Sequence, residues 1–140
     1  MLSEFVAKAK NQLLIYDPKV SDTAIVRLLK DRVKHGVDVR IIGKVGNNAR
    51  DLPHEKYPGK RLHARAMIRD RRDAFVGSMS LRRLELENRR EAGLIVRSGH
   101  VVSELLATFE EDWAQTDSGK KQESDKKAEA EELHDAHAEA

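Results

Sequence analysis

The chain has 140 residues, no cysteine and a formal charge of +2, so it holds at most one domain with an extension, and disulfide or thiol chemistry is excluded. No apolar run approaches the roughly 20 residues that a membrane-spanning helix needs. The opening MLSEFVAKAK carries an acid and no apolar centre, which argues against a signal peptide and for a cytoplasmic location.

Ser3 to Lys10 is expected as a short helix that Ser3 can cap. Leu13-Leu14-Ile15-Tyr16 is a short apolar run bounded by Asp17-Pro18, as in a buried strand. Ser21 or Asp22 then caps a helix through His35, with Ile25, Val26, Leu28, Leu29 and Val33 at helical spacing and Gly36 as its stop. Val37 to Ile42 is the next strand. A strand-helix-strand unit of this kind implies parallel neighbours joined by a right-handed crossover.

Gly43 to Lys60 holds two prolines, three glycines and two asparagines and is expected as a long loop. Arg61 to Arg69 alternates like a strand. His63, Arg65, Met67 and Arg69 share one face, and Leu62, Ala64, Ala66 and Ile68 share the other, which is apolar and expected to pack inward. Asp70 to Asp73 reads as a tight turn, and Ala74-Phe75-Val76 as a return strand ending at Gly77-Ser78. Leu81 to Arg90 fixes no period. Glu91 to Arg97 is a further strand, and a last helix runs from Gly99 to about Gln115 with Val101, Val102, Leu105, Leu106, Phe109 and Trp113 on one broad face. The elements predict an α/β fold whose mixed, mostly parallel sheet is flanked by helices, over residues 1–115.

Residues 116–140 change character. They contain one leucine, no aromatic residue, and four lysines against eight acids, leaving −4 there and +6 on residues 1–115. This segment is expected as a disordered or loosely helical charged tail. His134 and His137 within it have no accompanying ligand cluster, which favours a solvated pair over a metal site. Lys60 to Arg90 alone carries ten basic residues, a concentration suited to phosphate-bearing partners such as lipid headgroups or nucleic acid. An ordinary solvated surface is the plainer alternative.

The chemistry concentrates in His63-x-Arg65-x4-Asp70-x6-Gly77-Ser78. A histidine beside a permanent cation suits an anionic group. Arginine offers a planar fork that matches phosphate oxygens, and histidine can act as nucleophile or acid near neutral pH. This pattern resembles the HKD motif of the phospholipase D superfamily, H-x-K-x4-D-x6-G-S-x-N. His63, Asp70, Gly77 and Ser78 match in register, and Leu81, Asn88, Glu91 and Gly93 resemble the family's segment downstream of the motif. Arg65 stands where that family has lysine, and Ser80 where it has asparagine. The resemblance covers about residues 8 to 113.

The resemblance implies a phospholipase D-like half domain and a phosphodiesterase or phosphatidyltransferase, acting on phospholipid or nucleic acid without metal or cofactor. Two motif copies meet at one site; one histidine forms a phosphohistidine and the other protonates the leaving alcohol. Carried over by position, His63, Arg65 and Asp70 are the catalytic set. Arg65, Ser78 and Ser80 hold the phosphate oxygens, and Glu91 orients His63. Asp70, at the far end of its strand, fits structure better than chemistry. Only one motif copy is present. His54-x-Lys56 lacks the aspartate and runs into Pro58-Gly59. The implied site is therefore completed by a homodimer, or by an N-terminal half of which this chain is the fragment. A catalytically lapsed phosphate-binding module is the alternative that Arg65 and Ser80 favour.

Overall fold

The computed structural model describes residues 2–58, 65–77, 93–121, 125, 127 and 128. Helix α1, Leu2–Ala7, buries Leu2, Phe5 and Val6. It begins one residue earlier than the sequence suggests, so Ser3 lies inside its first turn. Strand β1, Gln12–Val20, is followed by helix α2, Thr23–Lys34, and strand β2, Asp38–Val45. Of the two candidate caps it is Asp22 that starts α2, its carboxylate accepting from the Ile25 N–H at 3.0 Å. Gly36 ends the helix at φ +85°, a left-handed conformation that glycine adopts without strain.

β1 does not stop at Asp17-Pro18 but continues to Val20. Proline has no N–H to give to a ladder. Here the pairing of β1 with β2 slips between Asp17 and Lys19, while the strand on the other side pairs only as far as Tyr16. The missing donor therefore falls at a bulge.

The segment read as a loop contains a 3-10 turn, Asn47–Ala49, and a two-residue strand β3, His54–Glu55, beside β2. Strands β4 (Ala66–Arg69), β5 (Asp73–Gly77) and β6 (Gly93–Val96) then form an antiparallel ladder, with β4 against β1. The described strands are ordered β3-β2-β1-β4-β5-β6. β1, β2, β3 and β5 run one way, β4 and β6 the other, so the sheet is mixed. The half from β3 to β1 is parallel, as expected. The half from β1 to β6 is antiparallel, β4 and β5 being joined by a tight hairpin turn and not by a crossover helix. Helix α3, Gly99–Ala114, follows β6, and residues 117–121 form a further helical turn.

Both faces of the sheet are buried. Leu13, Ile15, Ile41, Met67 and Phe75 pack with α1 and α2, while Leu14, Tyr16, Ile42, Ala66 and Ile68 pack with Phe109 and Trp113 of α3. Each leucine, isoleucine, methionine and phenylalanine among them contributes about 1.5–3 kcal/mol of burial. A strand covered on both sides reads as an unbroken apolar run, which is why Leu13 to Tyr16 does not alternate. Tyr16 also donates its hydroxyl to Asp112 at 2.5 Å, tying β1 to α3. Burial, then that hydrogen bond, push its ionisation upward, so it remains a neutral donor.

One expectation changes. The face carrying Arg65, Met67 and Arg69 is not open: Met67 is 2% exposed, and Arg69 lies over the Phe5 ring of α1 at 4.3 Å. With helices on both faces, a ligand can reach this strand only at its end. No described helix is long and apolar enough to cross a membrane.

Candidate active site

Arg65 sits immediately before β4, and Gly77 closes β5. The Gly77 N–H donates to the Arg65 carbonyl at 3.2 Å, so the hairpin ladder brings two separated positions of the motif side by side. They lie where β1 and β2 finish, since β4 runs antiparallel to β1. Ligands of open α/β sheets bind outside the carboxyl ends of such strands. His63, Ser78, Ser80 and Glu91 lie outside the described residues, as do His134 and His137.

Arg65 is half-buried, so its charge acts in a partly water-excluded setting. The β1–β4 register pairs Tyr16 with Ala66 and therefore sets Asp17 opposite Arg65 one step further. Directly opposed residues of antiparallel strands have Cβ atoms about 4.5–5.5 Å apart. Asp17 is 2% exposed, and it and Arg65 line one cavity of about 10 Å³ with Leu2 and Phe75. The Asp17 carboxylate also accepts from the Lys19 N–H at 2.8 Å. Such a carboxylate offsets part of the guanidinium charge and limits where the fork can swing. Sequence reasoning missed Asp17 because Asp17-Pro18 looks like a strand boundary. Its one signal is an acid ending an apolar run, and that becomes meaningful only once β1 is known to lie beside the motif strand.

Asp70 stands at the opposite end of β4. Its carboxylate accepts from the N–H groups of Asn11 at 2.7 Å, Gln12 at 2.9 Å and Lys10 at 3.1 Å. Burial works to raise its pKa, but the three backbone donors of Gln12, Asn11 and Lys10 together outweigh it and hold the carboxyl below its ordinary value. Asp70 and Arg71 adopt φ of 51° and 59°, forming the mirror-image turn that suits a hairpin. A left-handed non-glycine residue costs roughly 1–2 kcal/mol. Anchoring the Asp70 carboxylate to the start of β1 offsets that cost.

Arg69 is likewise committed to the fold, donating to the Phe5 carbonyl at 3.0 Å and to Asp73 at 2.8 Å. Arg71 pairs with Glu110 at 2.8 Å. Part of the basic segment thus serves the turn, and Arg65 is the motif cation at the strand end.

The family model for the cardiolipin synthase, PLD-like domain matches residues 2–113. No curated protein matches the sequence. Among solved structures, the chain is similar to Nuc of Salmonella typhimurium, a phospholipase D family member, at 17% identity and a TM-score of 0.68, over 82% of this chain and 86% of that one. NucT of Helicobacter pylori is similar at 15% identity and a TM-score of 0.68, with the same 82% and 86% covered. TrmBL2, an archaeal chromatin protein with a novel mode of DNA binding, shares 17% identity at a TM-score of 0.55, over 82% of this chain and 48% of its own. With the fold shared and the family model spanning nearly the whole of the sheet and its helices, the chain belongs to the phospholipase D superfamily.

Proposed function

We propose that the protein cleaves or transfers phosphodiesters, with His63 as nucleophile, at a site completed by a second motif copy. A ring nitrogen of His63 attacks phosphorus, and the bond from phosphorus to the leaving oxygen breaks. His63 of a second copy gives that oxygen its proton and then takes one from the water or alcohol that releases the phosphohistidine. Arg65 binds the non-bridging oxygens, with Ser78 and Ser80 as hydrogen-bond donors, and Glu91 fixes the His63 tautomer. Asp70 serves the turn. The observation that carries this reading is the placing of Arg65 and Gly77 together at the strand end, within a family-matching fold.

The test is turnover of bis(p-nitrophenyl) phosphate by wild type and His63→Ala, with the mass of the active species measured by sedimentation. Loss of turnover in His63→Ala, and activity confined to dimer, are expected. Wild-type turnover in His63→Ala refutes the nucleophile, and an active monomer refutes the paired site.

A lapsed phosphate-binding module is the second reading, favoured by Arg65 and Ser80 standing where the family has lysine and asparagine. It predicts phosphate binding with no turnover in any variant.

A further inference from the structure

Beside the motif end of the sheet lies a cleft of about 880 Å³. Lys19 comes to it from the end of β1, Lys44 from the end of β2, Arg50 from beyond the 3-10 turn, His54 from β3, and Lys56 and Tyr57 from the loop after β3. The cleft adjoins the motif in two ways. Lys19 binds Asp17 through its backbone N–H, and Asp17 shares a cavity with Arg65. The lining also runs to Pro58, five positions before His63 in sequence.

The charge on this wall exceeds what the fold uses. Lys19, Lys44, Arg50 and Lys56 are the basic residues on the lining, and the acids are Glu55 and Asp117. Glu55 already accepts from the backbone N–H and the hydroxyl of Ser118. Lys44, Arg50 and Lys56 are exposed and take part in no ion pair among the described residues. Other arginines of the molecule are each held by an acid: Arg32 by Asp31, Arg40 by Asp38, Arg69 by Asp73 and Arg71 by Glu110. Like charges gathered on one concave wall repel each other unless an anion sits among them.

We infer that this cleft holds the phosphates that flank the reacting diester, so that the ligand is a strand with several phosphates, a single-stranded nucleic acid. A single headgroup phosphate needs one or two cations, and Arg65 already stands at the reacting position. Four cations spread along a cleft of this size match a chain that places a charge at each nucleotide. Tyr57, half-buried on the same wall, offers a ring face on which a base can stack. The inference rests on the strand end being the phosphodiester site, but its test reads binding alone.

The experiment is fluorescence anisotropy of a labelled 12-nucleotide oligothymidylate across a salt series. Wild type is expected to bind with a log–log salt slope near −3, since single strands lose about 0.7 per phosphate contacted. The double variant Lys44→Ala/Arg50→Ala should bind at least tenfold more weakly, with a slope shallower by about 1.4. Arg27→Ala/Arg72→Ala, an equal loss of charge on exposed residues outside the cleft, should stay within threefold of wild type. Equal weakening in both double variants would reduce the cleft to general electrostatics and overturn the inference. So would vesicles of equal phosphatidylcholine and phosphatidylglycerol that bind wild type while the oligonucleotide does not. Oligonucleotide binding lost in Lys44→Ala/Arg50→Ala without diester turnover in wild type would uphold the cleft and remove the catalytic reading. Turnover with no oligonucleotide binding would do the reverse.

Discussion

At the turn end of β4, Arg69 and Asp70 are enclosed by partners: a backbone carbonyl, an aromatic ring and a carboxylate for the arginine, and three backbone N–H groups for the aspartate. At the other end of the same strand, Arg65 faces Asp17 across a small cavity, beside a cleft lined with further cations. The residue types are alike and the uses differ. A hairpin turn lies against the chain that begins β1, so its polar groups are satisfied by protein. The ends of β1 and β2 open instead on a cleft, with Lys19 and Lys44 on its wall.

The largest effect should come from altering the motif end. Arg65→Gln keeps roughly the shape and removes the cation. Turnover of a small diester should fall on the order of 10²–10³-fold, as for other groups that stabilise developing charge. It should also leave Asp17 buried without the opposing charge, at about 1–3 kcal/mol of stability. Adding Asp17→Asn should restore most of the stability and none of the turnover. Thermal melts and kinetics on the two single variants and the double variant measure this. Restored turnover in the double variant would show that Asp17 mattered more than the cation.

Asp70→Ala should produce the opposite pattern. Loss of the carboxylate frees three N–H groups at the start of β1 and leaves a strained turn, at about 1–3 kcal/mol. Turnover per folded molecule should be unchanged. Urea titration and activity on the same samples decide it. A variant of unchanged stability but lower activity would return Asp70 to the catalytic set.

This contrast was only partly legible in the sequence. The strand-helix-strand unit, the hairpin and α3 could be read because apolar spacing, Asp22, Gly36 and the Asp70–Asp73 turn are local signals. β3 could not, because two residues on an edge have no period of their own and exist through pairing with Ile41 and Ile42. The alternation of His63 to Arg69 was visible, but not that α1 would cover Met67, since that depends on where a distant helix docks. The motif marked Arg65 by its spacing. Asp17 carried no comparable mark, because its relation to Arg65 is a cross-strand register set by the whole sheet.

Strong acid should weaken the turn end of β4. The Asp70 carboxyl is held below its ordinary pKa in the folded protein, so its contribution to stability is fully present above the unfolded value. As pH falls through the folded value, the carboxyl takes up a proton and that contribution is lost. Asp70→Asn cannot titrate there. Its stability is therefore expected to be lower than wild type at neutral pH and to converge with it under acid, as followed by urea midpoints down the pH series. Parallel curves would mean that Asp70 is not the titrating group.

The smallest expected effect tests whether saturation by partners also marks the start of the acidic tail. Thr116 donates its hydroxyl to the Trp113 carbonyl at 2.6 Å and accepts from the Gly119 N–H at 3.1 Å. Residues 117–121 are helical, and Ser118 reaches Glu55 of β3. Gly119 approaches α3 so closely that a Cβ there would lie 1.9 Å from the Trp113 carbonyl oxygen. These contacts cap the last turn of α3, on which Trp113 and its stacked neighbour Phe109 hold one face of the sheet. Truncation after Gln115 should therefore cost about 1–2 kcal/mol, the size of a lost helix cap and its hydrogen bonds. Truncation after Lys121 keeps every one of these contacts and should leave the melting temperature where it was. Gly119→Ala in the full chain should reproduce the loss seen on truncation after Gln115, because the added methyl cannot be placed without moving the turn. If both truncations melt with the full chain, the contacts of Thr116 and Ser118 carry no stability, and the tail begins at Thr116 in energy as well as in sequence.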